Sequence, residues 1–288
     1  MTSAEKALRV ITADNPSPLT GPGTNTFLLG RDQVAVIDPG PDLPAHRAAI
    51  LAAIGSGRVS HILVTHAHLD HSGGARALAQ ATGAPILGFG PAEAGRSALM
   101  QRLAREGGIA GGEGLDRGFA PDVALADGAV VESDEWRLVA LHTPGHFAGH
   151  LSFRTERQIF CGDVVMGWSS TLISPPDGDL ADYFRTLSRL DSEAAAALLP
   201  AHGGAIADPS ARLAELAAHR RTRTVQILSA LRDGPADAET LARRIYDVPP
   251  TLIRAATRNV LAHLIALSEL GAISTPGSIG LEAVFSTH

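Results

Sequence analysis

The sequence predicts an α+β protein in which helices cover β-sheets, followed by a smaller unit with a winged-helix pattern. Up to residue 207, short β-rich runs alternate with helical patterns, and Gly and Pro separate them. From Asp208 onward the pattern changes to three helices and a hairpin. We therefore divide the chain into residues 1–207 and residues 208–288, the latter a connecting helix with a winged-helix-like unit.

The elements of the first unit are predicted from apolar runs bounded by turn residues. The predicted strands are Asn25–Leu29, Val34–Ile37, His61–Thr65, Pro85–Leu87, Arg137–Leu141, Leu151–Arg154, Gln158–Cys161 and Ala197–Pro200. The predicted helices are Ser72–Ala81 and Leu180–Leu190. Residues 105–118 contain too many glycines for a regular element, so we expect a mobile loop there, with or without a function. Closure of Gly107–Gly118 over the substrate is one hypothesis for its role.

The second unit opens with a clear helix start. Asp208 is a favourable N-cap, Pro209 suits the first helical position, and the helix is expected to run until Asp233. Later elements are predicted from periodicity and from the glycine at position 271. They are helices Ala238–Tyr246 and Thr251–Leu270 and hairpin strands Ala272–Ser274 and Ile279–Phe285.

Composition excludes several classes of protein. The 288 residues are 45% hydrophobic and 19% charged, which excludes a disordered chain, and a net charge of −6 excludes a globally basic nucleic-acid binder. Cys161 is the single cysteine, so no internal disulfide forms. Residues 1–10 lack the pattern of a secretory signal, and no apolar run is long enough to span a membrane. We expect a cytoplasmic protein without membrane contact.

The most informative stretch follows the predicted strand that ends at Thr65. His66, His68, Asp70 and His71 occur within six positions, where the strand ends and a helix begins. Strand ends place side chains at an open rim, where several can converge on one point. Neutral imidazoles and carboxylates are ligands for zinc-like cations. The stretch therefore predicts a metal site.

Three further segments follow predicted strands: residues 142–146, 161–163 and 199–203. Together with the first stretch they give the order HxHxDH, His, Asp, His, which resembles the metallo-β-lactamase superfamily over residues 20–205. The resemblance implies an αββα sandwich. The run Val34–Gly40 is similar to the superfamily's early strand and turn, in which we interpret Asp38 as a structural turn partner and not as a ligand.

The resemblance also implies a role for each matching residue. His66, His68 and His146 would hold one metal ion, Asp70, His71 and His202 a second, and Asp163 would bridge the two. A hydroxide between ions about 3.5–4 Å apart would be the nucleophile, with Asp70 as the catalytic residue that orients it and takes its proton. We expect two divalent ions, zinc by default, although such ligand sets also accept iron or manganese.

Other residues near these motifs receive secondary roles. His150 follows His146 by four positions and is a candidate for an outer hydrogen bond that braces a ligand, with a structural role as the alternative. His142 is expected to be structural. Cys161 is expected to be a small buried hydrophobe, since Asp163 takes the place of the cysteine ligand of well-known zinc β-lactamases. That difference argues against antibiotic hydrolysis.

The best overall match within the superfamily is the lactamase-beta-two-like branch, which includes endoribonucleases that prefer single strands. The placement depends on the helix with Tyr183, on the run from His219 to Arg223, and on the winged-helix tail. Arg220 and Arg223 share a helix face and, with Tyr183, are candidate substrate-binding residues. A solvated helix face is the competing interpretation.

Three functions stay open. The first is phosphodiester hydrolysis of single-stranded RNA, although the chain is acidic and only 4% aromatic. The second is hydrolysis of a small-molecule ester or thioester, as in glyoxalase II. The third is a nucleic-acid-binding protein with a vestigial metal site, in which Arg254 and Arg258 contact phosphates. Winged helices also serve as packing surfaces, so a homodimer is a further open alternative.

Overall fold

Two β-sheets pack face to face, and helices cover the outer face of each sheet. The computed structural model describes residues 8–109, 111–112 and 114–288. The resulting four-layer order, helix, sheet, sheet, helix, confirms the predicted αββα sandwich. A smaller helical unit follows it.

The first sheet contains six strands in chain order. Their bounds are β1 Arg9–Thr12, β2 Asn25–Leu29, β3 Gln33–Ile37, β4 Arg58–Leu63, β5 Ile86–Gly88 and β6 Val123–Ala124. β1, β2 and β3 pair in antiparallel fashion, whereas β3 to β6 are parallel. Because parallel strands need crossovers, helices lie between them. These helices are α1 Pro44–Ile54, α2 Leu69–Ser72, α3 Ala75–Thr82 and α4 Ala98–Glu106.

The second sheet contains five strands. Their bounds are β7 Val130–Glu132, β8 Arg137–His142, β9 Leu151–Arg154, β10 Gln158–Gly162 and β11 Ala197–Pro200. The strands lie in the order β11, β10, β9, β8, β7, and only β10 and β11 are parallel. Helix α5, Leu180–Ser192, is the crossover between those two strands and begins at the N-cap Asp179.

Apolar residues from the facing sides of both sheets form the central core. Phe27 of β2 packs against Phe160 of β10, with ring centroids 5.0 Å apart. Phe153 of β9 lies in the same cluster and is fully buried. This inner layer fixes the two sheets relative to each other, and their strand ends therefore meet at one rim.

Replacing Phe153 with alanine is expected to lower the free energy of unfolding by about 3–5 kcal/mol, because a large buried side chain is lost and a cavity remains. Urea denaturation measures this change. Val130→Ala is the control, since Val130 is 46% exposed on an end strand of the same sheet and its truncation should change stability by less than about 1 kcal/mol. Equal effects of the two substitutions would contradict the assigned core.

The C-terminal unit has its own core of helices and one hairpin. It contains α6 Pro209–Arg232, α7 Ala238–Ile245, a short 3-10 helix Pro250–Leu252, α8 Ile253–Glu269, β12 Ile273–Ser274 and β13 Ser286–Thr287. The N-cap is Asp208, as predicted, and its side chain accepts a hydrogen bond from Ala211 N. Leu213 and Leu216 pack on the sandwich, whereas Ile227 and Leu231 join the C-terminal core. Helix α6 is therefore shared by both units.

The predicted strand Ile279–Phe285 is wrong. β12 pairs instead with Ser286–Thr287. The backbone of Phe285 exchanges hydrogen bonds with Ala236, and Leu281 N donates to Gly108 O, so this segment packs against the rest of the unit instead of forming a wing strand. Ile109 is also buried in the C-terminal core, which ties one end of the 105–118 loop in place; residues 110 and 113 lie outside the described residues.

The predicted helix Ser72–Ala81 is divided into α2 and α3. Gly73 and Gly74 lie between them, and Gly74 N donates to Gly40 O at 2.8 Å. A Cβ atom at position 74 would lie about 3.1 Å from backbone oxygens of the turn after β3, so glycine permits this close approach.

Among the described residues, no helix combines the length and apolar character that a membrane crossing needs.

Candidate metal centre

All seven predicted ligands lie at one rim of the sandwich, because each follows the end of a strand. His66, His68, Asp70 and His71 follow β4. His146 follows β8, Asp163 follows β10 directly, and His202 comes two residues after β11. Segments that are up to 136 positions apart in sequence, as for His66 and His202, therefore meet where the two sheets open.

The first cluster consists of three imidazole nitrogens. Nε2 of His66 lies 2.9 Å from Nδ1 of His68, and Nε2 of His146 lies 3.3 and 3.2 Å from those two atoms. Ligand nitrogens about 2.0–2.1 Å from a tetrahedral zinc ion would be about 3.3–3.4 Å apart. The three nitrogens are thus arranged as one face of such a coordination sphere.

The second cluster combines carboxylates and imidazoles. Oδ2 of Asp70 lies 3.4 Å from Nε2 of both His71 and His202. Oδ1 of Asp163 lies 3.5 and 3.3 Å from the same two nitrogens, and its Oδ2 lies 3.8 Å from Nε2 of His146. The two oxygens of Asp163 thus face different clusters, as a bridging carboxylate would.

Two atoms in the second cluster indicate that a cation belongs there. Nε2 of His71 and Oδ1 of Asp163 are buried, and neither has a hydrogen-bond partner among the described residues. Buried polar atoms without partners are costly, so such atoms usually bind a ligand or an ion. The residues present fit a pair of divalent ions, and three groupings of these side chains could each hold one ion.

The protonation states of the imidazoles differ between the clusters. Burial, with His71 and His68 nearby, holds the pKa of His66 well below its usual value, and burial beside His146 lowers that of His68 to about 3. Burial also lowers the pKa of His146. The three imidazoles of the first cluster are therefore neutral at neutral pH, which is the form that binds metal.

Positive charge is favoured in the second cluster. Burial alone would lower the pKa of His71, but Asp70 and Asp163 outweigh it and raise the pKa well above its usual value. At His202, burial lowers the pKa and Asp163 raises it, and the net effect raises the pKa to about 10. Burial would raise the pKa of Asp70, yet His71 and His202 hold it well below the usual range. The carboxylates thus attract cationic charge, which a metal ion would supply.

Outer hydrogen bonds orient the ligands. Asp38 is buried and accepts hydrogen bonds from Nδ1 of His71 at 2.9 Å and from both N and Oγ1 of Thr65 at 2.8 Å. Thr65 Oγ1 also lies 3.0 Å from Nδ1 of His66. Asp38 is a turn residue, as predicted, but it also braces the metal centre, which the sequence did not indicate.

Backbone carbonyls and one hydroxyl supply the other outer bonds. His146 Nδ1 lies 2.7 Å from Leu172 O, and His202 Nδ1 lies 3.2 Å from Gly23 O. Thr24 Oγ1 donates to Asp70 Oδ2 at 3.1 Å. Such contacts fix the tautomer and the direction of each ligand. These contacts come from loops that are distant in sequence from the ligands, so no local sequence motif predicts them.

His150 lies behind the ligands without a hydrogen bond to any of the seven. Its Nδ1 is paired with Thr143 Oγ1 at 2.9 Å, and its ring centroid is 5.2 Å from that of His66. A Cβ at Gly162, where φ is 49°, would meet His150 Nε2 at 2.4 Å. His150 therefore packs closely beside His66 and the strand end that presents Asp163. Cys161 is fully buried, as expected.

A cavity of about 520 Å³ opens above the ligands. His68, Asp70 and His202 are at its base, while the residues of the C-terminal unit form one wall. The cavity lining is largely apolar, and its larger apolar side chains are Leu19, Met166, Trp168, Leu172, Val248 and Leu252. The site is thus a chamber between the two units.

The three candidate substrate-binding residues lie in two different environments in the structure. Arg220 is 1% exposed and Tyr183 is fully buried, and neither lines the cavity. The prediction that these two contact substrate is corrected, because their side chains are packed in the interior with the Arg220 guanidinium 5.5 Å from the Tyr183 ring. Arg223 does line the cavity, where it stacks over Tyr246 at 4.1 Å and donates to Ile245 O at 3.0 Å.

The arginines of α8 do not form a common phosphate-binding face. Arg258 is 5% exposed and donates to Ser174 Oγ at 2.8 Å and to Pro175 O and Ile109 O. Arg254 is exposed and lines a smaller cavity beside the metal centre. The prediction that Arg258 contacts phosphate is therefore wrong, since its guanidinium is used inside the protein.

A four-layer sandwich with paired His and Asp clusters at its rim defines a class of metal-dependent hydrolases, and comparisons place the chain within it. Residues 19–202 match the metallo-beta-lactamase superfamily, and residues 238–279 match the beta-lactamase associated winged helix domain. The first match covers more than half of the chain. The protein therefore belongs to the metallo-beta-lactamase superfamily.

Individual relatives agree with this assignment. The beta-lactamase-like protein 2 homolog of Caenorhabditis elegans is 28% identical over 94% of this chain and 87% of its own length. The atrochrysone carboxyl ACP thioesterase of Aspergillus chevalieri is 32% identical over 79% of this chain and 66% of that protein. The crystal structure of a metallo-beta-lactamase family protein from Thermus thermophilus covers 98% of this chain and 99% of its own, with 28% identity and a TM-score of 0.79.

Proposed function

We propose that this protein hydrolyses thioesters or esters of apolar acyl groups at a dinuclear metal centre, with zinc as the native ion. The observation that carries the proposal is the apolar chamber that stands directly on the ligand clusters. The ligand clusters would hold the ions next to the reacting carbonyl of a thioester, and its acyl chain would lie against the apolar walls. The thioesterase among the relatives supports the same class of reaction.

The residues of the chain have distinct tasks in this reaction. When bound, two divalent ions polarise a carbonyl oxygen and lower the pKa of a water molecule. Asp70 faces the cavity, and Thr24 fixes one of its oxygens. The low pKa of Asp70 keeps it ionised, which suits it to bind metal and orient water more than to retain a proton.

The overall reaction balances with water alone. An oxygen of water bonds to the acyl carbon, the carbon–sulfur bond breaks, and the thiol leaves with a proton from that water. The apolar wall binds the acyl chain and excludes bulk water from the reacting carbonyl. Leu252 contributes to the wall from the C-terminal unit, so that unit helps to select the substrate.

Single-stranded RNA is the second candidate substrate. Arg223 and Arg254 border the two cavities at the metal centre, and both cations would attract an anionic backbone. However, the expected contacts from Arg220 and Tyr183 are absent because those side chains are buried. An apolar acyl group accounts for more of the described cavity surface than a phosphodiester does.

A side-by-side assay of the zinc-loaded protein distinguishes the candidates. The substrates are acetyl and octanoyl thioesters of N-acetylcysteamine, a single-stranded oligoribonucleotide and a chromogenic β-lactam. We expect octanoyl thioester hydrolysis to have the highest kcat/KM. Faster cleavage of RNA than of either thioester would contradict the proposal and favour the phosphodiesterase.

The Leu252→Asp substitution is expected to lower kcat/KM for the octanoyl thioester by about 10-fold or more, because burying an aliphatic side chain against substrate contributes about 1.5–3 kcal/mol. The acetyl thioester should be affected less. Val225→Asp is the matched control, since Val225 is 66% exposed on α6 and lies outside the chamber lining. An equal loss for both acyl lengths would contradict acyl binding at this wall.

A further inference from the structure

Residues 171–173 connect the metal centre to the C-terminal unit. On the metal side, Leu172 O accepts a hydrogen bond from Nδ1 of His146 at 2.7 Å. Thr171 Oγ1 donates to the carbonyl oxygens of Asp163 and Val164 at 3.0 and 2.8 Å. This segment therefore orients one ligand of the three-imidazole cluster and contacts the backbone of the bridging residue.

Two buried side chains of the C-terminal unit hold the same segment from the other side. Asn259 of α8 accepts a hydrogen bond on Oδ1 from Ile173 N at 3.0 Å. Arg220 of α6 donates to Thr171 O and, through Nη1, to the same Oδ1 of Asn259 at 3.0 Å. The residues on either side of Leu172 are thus fixed by one connected pair.

The burial of Arg220 demands an explanation. Arg220 is 1% exposed, its Nε has no hydrogen-bond partner, and it forms no ion pair with a carboxylate among the described residues. A charged group without a counter-ion is expensive to bury. Its guanidinium instead donates to Thr171 O, which belongs to the segment that orients His146, and to Asn259 Oδ1, which holds the same segment.

We propose that Arg220 and Asn259 are positioning residues for the metal centre: they hold residues 171–173 so that Leu172 O directs His146 toward the metal. The C-terminal unit would then complete the three-imidazole site in addition to forming the substrate wall. The inference rests on the proposed metal centre but not on the identity of the substrate.

A merely structural role predicts a different result. General loosening of the interface would weaken both metal sites equally or destabilise the whole fold. A positioning role acts through His146 and should weaken the site formed by His66, His68 and His146 most. Outer hydrogen bonds of this kind change metal affinity by about 10–100-fold.

The test measures zinc affinity by competition with a chromophoric chelator in two single-site backgrounds. The His202→Ala protein retains the three-imidazole site, and the His146→Ala protein retains the second cluster. Arg220→Met removes the donors and keeps an apolar stem. We expect it to weaken zinc binding at least 10-fold in the His202→Ala protein and by less than about twofold in the His146→Ala protein.

Arg221→Met is the matched control. Arg221 is the next residue of α6, is exposed, and contacts the Phe184 ring instead of residues 171–173. It should leave zinc affinity unchanged in both backgrounds. Equal losses from Arg220→Met in the two backgrounds, or no loss in the His202→Ala protein, would overturn the positioning role. If the His202→Ala protein itself binds no zinc, the metal centre is contradicted as well.

A second pair of substitutions covers the case in which Arg220→Met does not fold. Asn259→Asp retains an acceptor oxygen for Ile173 N and Arg220, whereas Asn259→Leu removes it. We expect Asn259→Asp to keep the zinc affinity and the visible spectrum of the cobalt-loaded three-imidazole site, and Asn259→Leu to lose at least 10-fold in affinity. Equal affinities for these two variants would overturn the proposal.

Discussion

An Asp70→Ala variant is expected to lose hydrolytic activity by about a thousandfold, because the substitution removes a predicted metal ligand and the carboxylate proposed to orient the attacking water. Oδ2 of Asp70 faces Nε2 of both His71 and His202 at 3.4 Å. Steady-state kinetics with the octanoyl thioester measure the loss. The expected result is a fall in kcat with little change in the far-UV circular dichroism.

The control for this variant is Asp233→Ala. Asp233 is an exposed aspartate that caps the C-terminal end of α6, away from the cavity. It should retain full activity. If Asp70→Ala keeps activity within a few fold of the original protein, hydrolysis does not use this centre. If the original protein binds RNA but hydrolyses none of the substrates, the vestigial-site alternative is favoured.

Removal of metal is expected to abolish turnover and lower the melting temperature. We expect the site to bind cations only when the chain is folded, so zinc at about 100 times its Kd should add about 2.7 kcal/mol to the free energy of unfolding. For a domain of this size, that difference corresponds to about 5–10 °C. Thermal unfolding with and without a chelator measures the shift.

The matched sample contains the chelator together with excess zinc. It should recover both activity and melting temperature, which separates loss of metal from any direct effect of the chelator. Turnover that persists after the chelator has removed all metal would contradict the dinuclear mechanism. An unchanged melting temperature would contradict the expected stabilisation of the fold by bound ions.

A metal site could be predicted from the stretch after β4 because that stretch is dense in histidine and follows a strand end, whereas the full set of seven ligands was implied by the resemblance to the metallo-β-lactamase superfamily. The structure brings the seven predicted side chains together in three overlapping groupings, and within each grouping the ligand atoms lie within 4.8 Å of one another. That they bind metal remains a prediction. The outer partners were missed for a physical reason: Leu172 and Gly23 act through backbone carbonyls, which any residue type can supply.

The errors of the sequence analysis have a common cause. Helical spacing places Arg220 and Arg223 on one face of α6, but periodicity does not show which neighbour covers that face. The structure buries Arg220 under α8 and leaves Arg223 at the cavity. Similarly, apolar residues at Ile279 and Phe285 suggested a strand, whereas they pack into the C-terminal core without pairing as a wing.

Helices α1 and α4 were not predicted from the sequence. Helix α1, Pro44–Ile54, has no side chain that caps its N-terminus and no acidic residue in its first turn. Helix α4 begins at the N-cap Ser97, and its last two residues lie in the segment 105–118 that was predicted to be a loop. Ile50 and Ile54 of α1 pack on the first sheet, whereas Met100 and Leu103 of α4 pack in the C-terminal core. Tertiary contacts thus stabilise both helices.

Crystallography of the zinc-loaded protein at wavelengths on both sides of the zinc absorption edge is the most direct test of the dinuclear centre. We expect two anomalous peaks, one among His66, His68 and His146 and one among Asp70, His71 and His202, with Asp163 between them. Metal analysis of the same sample should give close to two ions per chain. A single peak elsewhere, or less than half an equivalent of metal after zinc supplementation, would contradict the dinuclear metal centre.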